Sequence, residues 1–496
     1  MNISERIRAV NRPERVIQYG EGNFLRAFAD WMIDIVNEKT DFNGNVIMIQ
    51  PLEKGLADAV NAQNGLYTTV LRGVQDGRSF EKSRAITSVS RCINPYTRFD
   101  EYFELAENPE IRFIISNTTE AGIAYDPADR FEDRPQRSFP GKVTAFLYRR
   151  FEYFRGASDR ALTLIPCELI DRNGDALKEI VKRYAREWKL AEDFIDWLDD
   201  CDFCNSLVDR VVPGFPHGEA EALWKKLDYT DNLLDMAEPF HLWVIETTAD
   251  YRQELPFEKA GLNVVWTDDM SFYRTRKVRI LNGAHTMTAP AAFLCGLTTV
   301  EECCGDPLIS AYMKKGIFEE IIPSMDGNED ELLQYARDVL ERFANPYIRH
   351  LLISITLNSI SKFKTRNLPS LKAYAQKTGR LPPVLTFSFA ALITFYNGKL
   401  VNGEMTGTRT GAGGAQEAYP IQDNEEELKR FAALYEENGA DGADHARAIA
   451  HAALSSTEWW GEDLSAVIPG LEDAITAHLE GIGKNGIRAE LEKVTA

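Results

Sequence analysis

Apolar residues change their period partway along the chain. In the first part, short apolar runs at Arg15–Tyr19, Val46–Ile49, Arg112–Ser116 and Ala161–Ile165 read as strands buried on both faces. Between them apolar positions return at helical spacing, as in Phe24, Phe28, Trp31 and Ile35, and again from Asp175 to about Trp188. His241–Ile245 and Asn263–Trp266 read as further strands completing the same sheet. This alternation predicts a doubly wound α/β domain. Beyond Lys277 the period is helical over 317–325, 329–343, 348–363 and 385–395, and strand-like runs vanish. A mainly α-helical second domain follows, with the two domains expected at 1–276 and 277–496. The Gly- and Thr-rich stretch from Asn402 to Tyr419 reads as a flexible surface loop. The remainder from Glu425 is acidic and helical, with Trp459 and Trp460 packed against the domain.

At 496 residues the chain exceeds what one hydrophobic core usually serves, in keeping with two domains. A net charge of −20, with no basic run interleaved with aromatics, excludes a general polyanion binder, so nucleic acid is not an expected partner. The first residues mix charges and lack an apolar signal-peptide core, and no apolar run reaches bilayer-spanning length, so no membrane partner is expected. Seven cysteines in so long a chain suggest reduced thiols and a cytoplasmic protein. Cys201 and Cys204 form a lone C-x-x-C in acidic surroundings, which fits packing better than redox or zinc chemistry. No metal site is expected.

Three stretches carry candidate chemistry. After the first strand comes Gly20-Glu21-Gly22-Asn23-Phe24, a glycine pair opening a helix. In this context Gly20 permits a tight turn, Gly22 lets main chain approach a pyrophosphate, and the helix N-terminus faces the anion, as in a Rossmann-type domain. Tyr19 ends the strand and Asn117, Thr118 and Glu120 follow another, so all these positions are candidates for cofactor contact, with substrate contact or capping of the next helix as the alternatives for Glu120. Two features depart from the dinucleotide pattern. Leu25 replaces the third glycine, and Gln50 stands where an acid would take the ribose, with Glu53 just beyond.

The second stretch is Lys277 to His285, K-x4-N-x2-H, at the start of a long helical run. On an α-helix Asn282 and His285 share a face while Lys277 lies off it, about a turn and a half upstream. An amine, an amide and an imidazole suit one substrate oxygen: a desolvated lysine can give and take a proton, and Asn and neutral His can polarise a carbonyl. The bland alternative is a solvated lysine, a cap and a core histidine. The third stretch, Lys362, Lys364 and Arg366, is a basic cluster in an acidic chain, with Arg349 and His350 upstream. It suits a substrate carboxylate, or the complement of a helix C-terminus.

Together, G-x-G-x-F-x-R-A and K-x4-N-x2-H resemble the mannitol dehydrogenase family of long-chain polyol dehydrogenases and reductases. The blocks NGLYTTVLRG, SNTTEAGI, IPCELIDRNGDALK, LVDRVVPG, KVRILNGAHT, EEIIP, NPYIRHLLISITLNS and KFKTR are similar to a hexuronate-reducing branch of it. The resemblance implies a Rossmann-type N-terminal domain, a helical C-terminal domain, and metal-independent hydride transfer with NAD on a small sugar acid. It further implies Lys277 as general acid/base, Asn282 and His285 as orienting groups, and Gly20 and Gly22 as cofactor ligands. Departures from the polyol members point to a changed substrate: Leu169 stands where they carry a second asparagine, and Ser354 where they carry an arginine upstream of the lysine matched by Lys362. Other members' substrates, a second uronate, a polyol or a polyol phosphate, are the alternatives.

Overall fold

A computed structural model describes residues 1–75, 77–118, 122–411, 414–437 and 443–496. The chain divides into two compact units, Met1–Ser271 and Phe272–Ala496. In the first, strands β1 (Glu14–Tyr19), β2 (Asn45–Ile49), β3 (Val89–Ile93), β4 (Phe113–Ser116), β5 (Thr163–Pro166) and β6 (Asp202–Phe203) form one parallel sheet in the spatial order β3-β2-β1-β4-β5-β6. Both faces are covered, which is why successive residues along a strand are apolar. Val16, Met48 and Ile115 enter one core, and Ile17, Ile47 and Ile114 the other. The connections are helical: α1 (Asn23–Arg26) and α2 (Ala29–Lys39) follow β1, α3 (Phe139–Phe154) follows β4, and α4 (Asn173–Glu187) follows β5. Met32, Ile33 and Val36 of α2 pack on the first face, and Val143, Phe146, Leu177 and Val181 of α3 and α4 on the second. Strand order reverses between β1 and β4, so the loops leaving their carboxyl ends diverge and open a crevice for a ligand.

Two sequence expectations for this unit change. The helix after the glycine turn is interrupted: Phe28, at φ −126° and ψ −83°, leaves the helical region, so α1 has only four residues. The strands at Leu242–Glu246 and Val264–Thr267 do not complete the main sheet. Leu242–Glu246 instead lies at the centre of a separate three-stranded sheet, parallel to Val264–Thr267 and antiparallel to Asn205–Asp209. A hairpin, Tyr67–Gln75 with Arg78–Ile86, and the parallel strand Asp235–Ala237 beside it form another. The Cys201 and Cys204 thiols are buried packing groups, and burial pushes Cys201 up to about 12.

The second unit is mainly helical, and its elements include α5 (Gly283–Leu294), α6 (Glu329–Phe343), α7 (Ser359–Arg366) and α8 (Pro383–Phe395). Helix α8 is buried around nearly its whole circumference, as an all-apolar helix at the centre of a domain must be. Its first N–H groups are satisfied by a buried carboxylate, with Val384 N and Leu385 N donating to Glu320 at 2.7 and 2.8 Å. The run over 348–363 is split into Leu352–Ile355 and α7 by Asn358, which adopts φ 53°. The stretch expected to be a loop is instead a three-stranded antiparallel sheet of Gly398–Val401, Glu404–Thr410 and Gln416–Ile421. Alternation that the glycines and threonines disguise explains it: Met405, Tyr419 and Ile421 face inward, and the Tyr419 hydroxyl donates to Phe395 O at 2.8 Å. Among the described residues no helix is long and apolar enough to cross a membrane.

Burial raises the Glu320 carboxyl to about 7 from an ordinary 4.5, with the two donated hydrogen bonds opposing it. The folded state therefore holds this proton more tightly than the unfolded chain, and the stability it contributes at acid pH is lost as pH rises through about 7. Thermal melts from pH 5 to pH 8 should show a steeper fall in Tm for the native chain than for Glu320→Gln. The variant should be less stable than the native chain at pH 5, by about 1–3 kcal/mol, because its amide cannot accept both bonds.

Candidate functional site

The glycine turn sits at the carboxyl end of β1, on the crevice. Gly20 is at φ +113°, and a Cβ there would stand 2.6 Å from Asn117 O, so only glycine fits. Gly22 has an ordinary φ of −69°, and a Cβ on it would meet nothing within 4 Å. Its missing side chain therefore leaves the main chain open to a close-lying group, as a pyrophosphate requires. Asn23 is exposed, and Phe24 stacks on Phe28 at 4.9 Å.

Two neighbours expected at the site turn their side chains elsewhere. Tyr19 is fully buried, its hydroxyl 2.8 Å from that of Tyr102, so it brings only main chain to the turn. Glu21 is buried, accepts from Leu56 N at 3.0 Å, and is raised by burial. Gln50 is likewise committed to the loop after β2. Its amide donates to Leu52 O and Glu53 O at 2.8 and 3.0 Å and accepts from Ala57 N at 3.0 Å, leaving the exposed Glu53 as the acid nearest that strand's end.

Across the reversal point, Asn117 donates through its backbone to Tyr19 O at 3.0 Å and through its amide to Cys167 O at 2.8 Å. Thr118 donates through both N and Oγ1 to Glu168, at 3.0 and 2.9 Å, and Ser116 Oγ donates to the same carboxylate at 3.0 Å. Glu168 is buried, and that burial raises its pKa. It fixes the loop that carries Asn117 and Thr118, a role the sequence signals only by placing an acid just after an apolar strand. Glu120 lies outside the described residues.

In the second unit, Lys277–Asn282 is not α-helical but a π-helical turn, running directly into α5. The difference matters to the motif. In an α-helix of 3.6 residues per turn, residues five apart point about 140° away from each other. In a π-turn the backbone bonds run from i to i+5, which lays residue 282 over residue 277. His285 then follows one α-helical step of three residues further. Lys277, Asn282 and His285 are each part-exposed, as are Val278 and Arg279, while Ile280, Leu281, Gly283 and Ala284 are buried. The His285 ring packs 4.1 Å from Phe343 and 4.9 Å, edge to face, from His350.

The basic cluster divides. Lys362 and Arg366 are four residues apart on α7. Lys362 Nζ donates to Ile355 O at 2.9 Å, and Arg366 Nη1 donates to Thr286 Oγ1 at 3.2 Å, on the residue next to His285. Burial first, and Arg366 second, draw the Lys362 pKa down, and burial does the same to Arg366. His350 is also lowered, by burial and then by Lys362. Like charges at this spacing repel, and Asp423 acts on Lys362 in the opposite sense. Lys364 lies elsewhere, its ammonium beside Gly461, because a two-residue step on a helix turns to another side.

Comparison with known proteins places this geometry. The model of the mannitol dehydrogenase Rossmann domain matches residues 14–259, and that of the mannitol dehydrogenase C-terminal domain matches 269–479. The altronate oxidoreductase of Yersinia enterocolitica is 48% identical over 482 residues, covering 97% of this chain and 96% of the relative. That of Pectobacterium atrosepticum is 47% identical, covering 97% and 96%, and that of Escherichia coli O7:K1 is 47% identical, covering 96% of each. Two solved structures share the fold. Substrate-free D-sorbitol dehydrogenase has a TM-score of 0.78 at 19% identity, covering 97% of this chain and 95% of its own. Pseudomonas fluorescens mannitol 2-dehydrogenase, in a ternary complex with NAD and D-mannitol, has a TM-score of 0.65 at 21% identity, covering 97% and 94%. With both domain models matched in sequence order and near-half identity along almost the full length, this chain belongs to the mannitol dehydrogenase family of oxidoreductases.

Proposed function

We propose that this protein is an NAD-dependent oxidoreductase interconverting D-tagaturonate and D-altronate. The observation that carries the chemistry is the π-turn, whose five-residue bonding step brings Asn282 round towards the side of Lys277, with His285 one helical step further on. The substrate reading rests on the relatives at 46–48% identity that are named altronate oxidoreductases, and on the Lys362–Arg366 pair beside His285. The turn at Gly20–Gly22 fits NAD(H), which when bound supplies or takes up the hydride.

In reduction, the Lys277 ammonium gives its proton to the carbonyl oxygen as the carbon gains hydride, so that a ketone becomes a secondary alcohol. In oxidation the neutral amine takes that proton back. Asn282 donates to the oxygen where negative charge develops, and His285, held between Phe343 and His350, orients the same oxygen. Lys362 and Arg366 each use one donor internally and keep others for the carboxylate, which fixes the position of the ketone. Lys364 is left out of this set. No metal takes part in the scheme, and seven free cysteines suit a reducing cytoplasm.

Mixing the purified protein with NADH and tagaturonate should bleach the near-ultraviolet absorbance of NADH. A panel of tagaturonate, fructuronate, fructose and fructose phosphate, run with NADH and NADPH, should give its highest kcat/KM for tagaturonate with NADH. A neutral ketose in first place would overturn the substrate assignment. Lys277→Ala should lower kcat by about 10²–10⁴ with NADH affinity unchanged, as expected for loss of a general acid. Lys362→Met and Arg366→Met should each raise KM for the uronate by about tenfold or more, the size of a charge-assisted contact, with a smaller change in kcat. An unchanged KM would release the pair from that role.

A further inference from the structure

The glycine turn raises a physical problem. A Rossmann turn is usually held by a third glycine that lets helix and strand pack closely, and its anion is met by the dipole of the helix that follows. Here the third glycine is Leu25, and the helix stops after four residues at the Phe28 break, so few peptide dipoles add up along its axis. Something else must hold the turn and face the pyrophosphate.

Arg26, only 2% exposed, meets both needs. Its Nε donates to Glu21 O at 3.1 Å, and its Nη2 donates to Asn23 Oδ1, so one guanidinium grips the turn on either side of Gly22. Its Nη1 donates to Leu233 O, and its plane lies 5.2 Å over the Tyr67 ring, which anchors the group from below. A second buried side chain completes the grip: Gln18 Nε2 donates to Gly20 O at 3.0 Å and to Asp30 at 3.2 Å. The Tyr67 hydroxyl sits between Asp30 at 3.0 Å and Arg26 O at 2.9 Å, its one proton shared between the two acceptors. The counter-charge to Arg26 is held back. Asp235 is 3.7 Å away, and neither of its oxygens accepts a hydrogen bond. Burial pushes both Asp30 and Asp235 up to about 7, with the Arg26 charge opposing that rise in each.

We propose that Arg26 is the positioning residue of the nucleotide site. It locks the Gly20–Asn23 main chain in the shape that admits a pyrophosphate, and it supplies beneath that shape the fixed positive charge the interrupted helix does not. It touches no substrate, and it acts through Glu21 O and the Asn23 amide. The inference rests on the nucleotide reading given above and adds to it the device that makes the turn an anion site.

The test is a fluorescence titration of the full-length protein with NADH, together with displacement of NADH by ADP and by adenosine. Arg26→Met should raise the NADH Kd by about tenfold or more, as for a lost charge-assisted contact. It should weaken ADP to a similar degree, leave adenosine displacement unchanged, and keep kcat at saturating NADH within about threefold, since binding and not the chemical step is affected. Arg26→Lys, which restores the charge but not the fork, should recover part of the loss. An NADH Kd within twofold of the native protein, or equal weakening of ADP and adenosine, would overturn the assignment. Should Arg26→Met fail to fold, Asn23→Ala at the exposed end of the grip still decides: a rise of the NADH Kd of about threefold or more supports it, since one neutral hydrogen bond is lost, and an unchanged Kd overturns it. A native protein that binds no NADH would instead sink the nucleotide reading itself.

Discussion

One steric constraint governs the first unit. The chain must leave β1 with Gly20 at φ +113° and its α-carbon pressed against the carbonyl of Asn117, a fit that no side chain survives. That approach joins the exits of the two strands at which the sheet reverses its order, with Asn117 N bonded back to Tyr19 O. Among the described residues, buried polar groups on both sides of the candidate nucleotide site gather at this junction. Gln18 and Arg26 hold one side of it, and Glu168 holds the other through Ser116 and Thr118.

These side chains are largely buried, and their number in so acidic a chain is costly. Burying a charge is tolerated only with partners, and the unit meets that condition by main-chain satisfaction more than by ion pairing. Arg150 alone donates to the carbonyls of Ala106, Asn108, Ile111 and Arg160. Where partners are fewer, as at Asp30 and Asp235, the groups shift towards neutrality. Rigidity near the glycine turn thus comes from hydrogen bonds that water cannot compete for.

The parts of this architecture that were legible in the sequence are those whose apolar runs are continuous. The central strands and the long helices announce themselves because burial on both faces, or along one stripe, forces a pattern. The hairpin at Tyr67–Gln75 and Arg78–Ile86 escaped notice because its second strand, RSFEKSRAI, is largely solvent-facing and charged. The sheet at 398–421 was hidden by glycines and threonines that mimic a loop. At the candidate site, the glycine turn that Gly20 and Gly22 make after β1 was readable, but the direction of neighbouring side chains was not. Tyr19 shares the face of Ile17 and so enters the core. Glu21 and Gln50 were absorbed by a loop whose closure no local pattern encodes. Lys364 was grouped with Lys362 and Arg366 by proximity in sequence, and the two-residue step along α7 turns it to another side.

The turn from Lys277 to Asn282 explains the motif's own arithmetic. Five residues from lysine to asparagine and three from asparagine to histidine make no single stripe on a uniform helix. They are the steps of one wide coil followed by one ordinary coil. The wide coil amounts to an α-helix carrying one surplus residue. Loss of one residue between Lys277 and Asn282 would turn the wide coil into an ordinary one, on which a lysine and an asparagine four residues apart again share a face, so the five-residue spacing is the mark of the wide coil itself. What the family signature records is therefore the pitch of the backbone as much as the identity of its three polar groups.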